Sequence, residues 1–134
     1  MKKERITTAA VRIPPKMYSQ AVRYGDVVYV SGQLGRHPDG HLDVGDARAQ
    51  VRQAFQNVKN ILEAAGSSME NIITCQCHLR HGEDLDVLND VYRELFQEME
   101  VPPARWAVVS PLVLPEALFE VIVTGAVEGR EGAE

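Results

Sequence analysis

The chain has 134 residues, 45% of them hydrophobic and 25% charged, with a formal net charge of −5. That length suits one domain, residues 1–134, with its own core and no need of disulfide staples. The acidic balance and the lack of a basic, aromatic-studded stripe argue against a nucleic-acid binder. No apolar run approaches the roughly 20 residues of a membrane helix, and the opening MKKERITTAAVRI has basic residues but no apolar signal region. Cys75 and Cys77, one residue apart, cannot build a disulfide framework. A cytoplasmic, soluble protein is expected.

In chain order, Arg5 to Ala10 reads as a short strand. Tyr18 to Val22 and Val27 to Val30 read as strands joined at Gly25-Asp26, with Ser31-Gly32-Gln33 closing the second. Pro38-Asp39-Gly40 is a turn, and His37 and His41 on either side of it are expected to be solvated. Asp46 to Ala65 is a helix: Val51, Phe55, Val58, Ile61, Leu62 and Ala65 recur at helical spacing, with Asp46 as N-cap and Gly66 as stop. Asn71 to Leu79 is a strand with Ile73, Cys75, Cys77 and Leu79 on one face. Asp84 to Met99 is a second amphipathic helix, with Leu85, Leu88, Val91, Tyr92, Leu95 and Met99 as its stripe and Pro102-Pro103 as its end. Ala104 to Ser110 and Ala117 to Val127 are valine-rich strands. Residues 128–134 are polar and expected to fray.

Strands, helix, strand, helix, strands is the order of an α+β domain with two helices packed on one face of a mixed sheet. The last strand carries apolar residues on both faces, so both should be covered. Two helices cover only one, which points to a second subunit on the other and to a homo-oligomer.

Two charges stand inside apolar strands, Arg105 and Glu120, and an ion is rarely buried without a partner. An antiparallel hairpin centred between Leu112 and Val113 would set Arg105 opposite Glu120. That pair can be a simple cross-strand ion pair. It can equally be a site, with arginine gripping a carboxylate through two parallel hydrogen bonds and glutamate orienting a water. Spacing alone leaves both open.

The segments YSQAV (Tyr18 to Val22), VSGQ (Val30 to Gln33), NVKNILEAAGSS (Asn57 to Ser68), LNDVY (Leu88 to Tyr92), PPAR (Pro102 to Arg105) and FEV (Phe119 to Val121) resemble, in order, the Rid family of reactive intermediate deaminases, once called the YjgF family. The resemblance implies a chorismate-mutase-like fold and a homotrimer with sites between subunits. It implies no metal and no cofactor. The implied activity is hydrolysis of small 2-imino or enamino acids to 2-keto acids and ammonia. Arg105 would clamp the substrate carboxylate and Glu120 would position the attacking water. Tyr18, Ser31, Gly32 and Asn89 match family pocket positions, and Ala107, on the arginine's face, would border the pocket.

The chain departs from the family pattern in three places. Lys16-Met17 replaces a glycine and proline before Tyr18. Trp106-Ala107 replaces a hydroxyl residue and cysteine after Arg105. Ile122 stands where relatives carry a second glutamate. A specialised deaminase, such as one acting on an aminomuconate-type enamine, and a non-catalytic binder of small carboxylates are the alternatives. By alternation Trp106 points away from Arg105 and is expected in the core. Cys75, Cys77, His78 and His81 match no zinc spacing, and both cysteines read as small buried hydrophobes.

Overall fold

The computed structural model describes residues 1–128. It contains β1 (Glu4–Ile6), β2 (Ala21–Tyr24), β3 (Val27–Leu34), α1 (Ala47–Ala64), β4 (Ile72–Leu79), α2 (Leu85–Phe96), β5 (Ala104–Val109) and β6 (Phe119–Ala126). The six strands form one mixed sheet in the order β1-β2-β3-β6-β4-β5. All neighbours run antiparallel except β4 and β5. Both helices lie on one face. The expected α+β architecture is therefore present, and the fraying expected beyond residue 128 falls outside the described residues. No helix among the described residues is long and apolar enough to cross a membrane.

The Asp46 carboxylate caps α1 by accepting from the Ala49 amide at 3.0 Å. Gly66 ends the helix in the left-handed region at φ +82°. Every apolar residue of the expected α1 stripe is buried. Phe55 is the hub of the core, with its ring 5.8 Å from Phe96 and from Phe119. The stripe read for α2 omitted Phe96, which is buried, and included Leu85, which is 40% exposed.

Several boundaries shift for local reasons. β1 stops at Ile6 and the chain does not re-enter the sheet until Ala21. Between them the buried Gln20 amide accepts from the Thr8 amide and donates to the carbonyls of Thr8, Val11 and Arg12. A single side chain thus satisfies a loop that would otherwise need strand partners. β3 does not close at Ser31-Gly32-Gln33 but runs through it, with a register shift between Val30 and Gln33. A second shift, between Ile72 and Thr74, turns Ile72 inward and leaves Ile73 48% exposed. α2 ends at Phe96, before the prolines.

The expected hairpin between the last two strands does not form. β5 pairs with β4 in parallel, and β6 lies on β4's other side. The strand–helix–strand run β4-α2-β5 is the connection that a parallel pair requires. The chain from Ser110 to Leu118 then crosses β4 to insert β6 between β3 and β4. Arg80 holds that crossing: its guanidinium donates to the carbonyls of Ala117 at 2.7 Å, Leu114 at 2.8 Å and Leu112 at 3.1 Å.

No helix among the described residues covers the face away from α1 and α2. It presents Tyr24, Tyr29 and Trp106, exposed by 46%, 51% and 49%, with Val108 beside them. Trp106 therefore does point away from Arg105, but onto this open face and not into the core.

Candidate active site

Register places the two charges on opposite sides of the sheet. Arg105 aligns with Cys75, which aligns with Val123, and both of these are buried under the helices. Glu120 aligns with His78, three residues along β4 from Cys75 and hence on the open face. With about 3.3 Å per residue and about 4.8 Å per strand, the two Cα atoms are about 14 Å apart. Arg105 and Glu120 of one chain are neither cross-strand neighbours nor an ion pair.

Arg105 sits on the edge strand beside α2. One guanidinium nitrogen donates to Asn89 Oδ1 at 2.8 Å. The guanidinium carbon lies 4.8 Å from the centre of the Tyr92 ring, a cation–π contact. Asn89 and Tyr92 stand three apart on α2, so one helical face presents both. Ala107 shares the Arg105 face and packs on the core. Below lie Cys75 and Cys77, whose thiols burial pushes up to about 12 and about 11, partly offset by the positive charge of Arg105. These thiols are un-ionised at neutral pH and offer no nucleophile. Burial, with Cys75 alongside, also pushes the Tyr92 phenol up.

Glu120 borders a cleft of about 210 Å³ at the end of β3, together with Tyr18, Ser31 and Gly32. Its carboxylate lies against Gly32 so closely that a Cβ there would collide with Oε2. A side chain at 32 would therefore displace the Glu120 carboxylate from this position. Ser31 is held by its hydroxyl, which donates to the Ser19 carbonyl at 2.6 Å, and by its amide, which donates to the Gln20 carbonyl at 2.9 Å. Among the described residues no cation pairs with Glu120.

The seven residues singled out in the sequence thus fall into two groups. Tyr18, Ser31, Gly32 and Glu120 are brought together in the cleft. Asn89, Ala107 and Arg105 are brought together at the edge of β5. Sequence reasoning missed Tyr92 as the platform under Arg105, although its helical spacing from Asn89 was available. It also missed Gln20, Gln50 and Asn57, buried amides that shape the cleft loops. Gln50 bonds the carbonyls of Asp43 and Glu116 and the Leu118 amide, and Asn57 bonds the carbonyls of Leu34 and Arg36. No pattern of residue types marks such amides in advance.

Comparison with known proteins agrees with this architecture. The family model described as endoribonuclease L-PSP matches residues 9–127. The chain is 37% identical over 122 residues to the 3-aminoacrylate deaminase RutC of Acinetobacter baylyi, covering 90% of this chain and 95% of that one. It is 36% identical over 125 residues to the 2-iminobutanoate/2-iminopropanoate deaminase of Bos taurus, covering 92% and 89%. Among solved structures, the Rid-family protein YyfA of Yersinia pestis superposes with a TM-score of 0.89 at 29% identity, over 94% of this chain and all of that one. Sequence, family model and fold agree: the chain belongs to the Rid family.

Proposed function

We propose that this chain forms a deaminase that hydrolyses small 2-imino or enamino acids to 2-keto acids and ammonia, at sites completed by two copies of the chain. Its relatives named as 3-aminoacrylate and 2-iminobutanoate/2-iminopropanoate deaminases support the reaction class. The observation that carries the composite site is the placement of Arg105 and Glu120 on opposite sheet faces. Each opens at the margin of one chain, and each lacks the other's charge.

In this reading Arg105 of one copy clamps the substrate carboxylate. Asn89 and Tyr92 occupy one guanidinium edge and one face, leaving the remaining N–H groups for a bidentate grip. Glu120 of the next copy faces the reacting carbon. Its carboxylate takes a proton from water as the oxygen adds to the C=N carbon, giving a carbinolamine. The proton passes to nitrogen, the carbinolamine hydroxyl gives its own proton to the carboxylate as the C–N bond breaks, and ammonia leaves with a 2-keto acid behind. Atoms balance with water as the only co-reactant. The uncovered aromatic face supports assembly of copies, and a homotrimer is the arrangement proposed.

Ammonia release from 2-iminopropanoate, generated in situ, tests the proposal. The wild type accelerates release, and Arg105→Ala lowers the rate by about 10³-fold, as expected when a charged grip is removed. A folded Arg105→Ala protein acting at the original rate would sink the mechanism. Binding of 2-keto acids with no turnover of any imine would leave a carboxylate binder.

A further inference from the structure

We infer that the turn joining β3 to α1 carries a binding site for a first-row transition-metal dication of the zinc type, built from His37, His41 and Asp43. One ligand atom from each residue lies within 4.8 Å of the others. Tetrahedral ligands about 2.0–2.1 Å from a zinc ion stand roughly 3.3 Å apart. Closure therefore asks only for side-chain rotation.

The backbone under all three is already pinned. Arg36 and Leu42 form an isolated bridge. The His37 amide donates to the His41 carbonyl at 2.9 Å, and the Gly40 amide donates to the His37 carbonyl at 2.7 Å. Gly40 takes φ +97°, which a β-carbon disfavours. The Asp43 carbonyl accepts from the buried Gln50 amide at 3.0 Å and from the Asp46 amide at 3.1 Å.

The side chains are gathered over the turn. The two imidazoles stack with centroids 4.1 Å apart and planes 6° from parallel, so one ring must swing out of the stack for both to ligate one ion. His37 Nε2 lies 2.8 Å from an Asp43 oxygen, where a metal can replace the shared proton. Asp39 lies 2.5 Å from His41 Nδ1. That contact fixes the tautomer and leaves Nε2 for the ion, the carboxylate–histidine–metal arrangement of many sites. Asp39 and Asp43 bring two carboxylates to the turn, the charge that a dication neutralises. Of the arginines nearby, Arg48 pairs with Asp90 and Arg52 with Glu94, while Arg36 donates to the Gly40 carbonyl at 3.1 Å. Two nitrogens and one oxygen favour zinc, cobalt, nickel or copper over magnesium and calcium. His41 is more than half exposed, so the ion enters from solvent and water completes its shell.

The site is separate from the proposed deamination site and shares no residue with it. Titrating tag-free protein with Co²⁺ at pH 7.5 tests it by visible absorption. One equivalent per chain is expected, with d–d bands of a nitrogen–oxygen site and no thiolate charge-transfer band. His41→Ala weakens binding at least tenfold and leaves imine hydrolysis unchanged. Zn²⁺ competes the cobalt out. Binding with a thiolate band, equal binding by His41→Ala and His37→Ala, or no binding at millimolar Co²⁺ would each overturn the assignment. Far-UV circular dichroism of the variants separates lost ligands from lost fold.

Discussion

Arg105 is held by directed contacts: a hydrogen bond that it donates to Asn89, a ring beneath it, and strand pairing to β4. The Glu120 carboxylate lies against a glycine, and among the described residues no cation forms an ion pair with it. The first arrangement fixes the plane of a guanidinium, which a bidentate grip on a carboxylate needs. The second leaves the carboxylate without an ion-pair partner among the described residues, as the proposed proton transfer requires. Proximity within one chain would have spent both charges on each other. The position of β4 between β5 and β6 keeps them apart, which leaves each available for the proposed site between two copies.

That comparison breaks most sharply by complementation. Arg105→Ala and Glu120→Gln should each lose about three orders of magnitude in kcat/KM, or about 4 kcal/mol of transition-state stabilisation. Mixed in equal amounts, unfolded and reassembled, they should recover about one quarter of wild-type activity. In a random cyclic oligomer that fraction of boundaries joins an intact Arg105 to an intact Glu120. No recovery in verified mixed oligomers would mean that both charges serve from one chain.

A smaller effect tests what separates them. Arg80 ties three carbonyls of the crossing segment. Arg80→Met removes a charged donor and strands those carbonyls, a loss of about 3 kcal/mol in urea unfolding. Gln50, which anchors the same segment from α1, offers the parallel test. If Arg80→Met unfolds at the wild-type midpoint, the crossing is held by something else.

Within the Arg105 half, Asn89 is a positioning residue. Asn89→Ala should raise KM about tenfold with a smaller change in kcat, because the guanidinium keeps its charge but loses its orientation. Asn89→Asp retains the acceptor and adds a negative charge beside Arg105. It should recover thermal stability and not substrate affinity, a split that a purely structural residue would not give.

The fold was legible where periodicity and punctuation agree. The α1 stripe with its Asp46 cap and Gly66 stop is the clearest case. The final pair of strands was misread because two valine-rich runs joined by nine residues look like a hairpin. The strand–helix–strand order before them, which favours a parallel β4–β5 pair, was the stronger cue. Alternation also failed at Ile73, since a bulge changes the parity of a strand without changing its composition. The site residues were legible only as a set of short segments. Their division between two places depends on strand order, which no local pattern encodes. His41 is exposed as expected and His37 half-buried, but the two are also stacked and paired with carboxylates, because a tight turn brings i and i+4 together as a helix would.

The smallest effect concerns the floor under Arg105. Cys75 and Cys77 titrate near 9 in an unfolded chain but are held up to about 12 and about 11 in the fold, chiefly by burial. As pH rises past 9 the unfolded chain releases these protons first, so folding becomes less favourable. Stability should be level below pH 8 and fall from pH 9 until the folded values are reached. Between pH 8 and 10 each thiol should cost about 1 kcal/mol. Cys75→Val, which keeps the volume and removes the proton, should flatten its share of that fall in urea midpoints measured at both pH values. The Glu120 half has no buried thiol, so substitutions there should leave the alkaline slope unchanged. A wild-type slope in Cys75→Val would show that another group sets the alkaline limit.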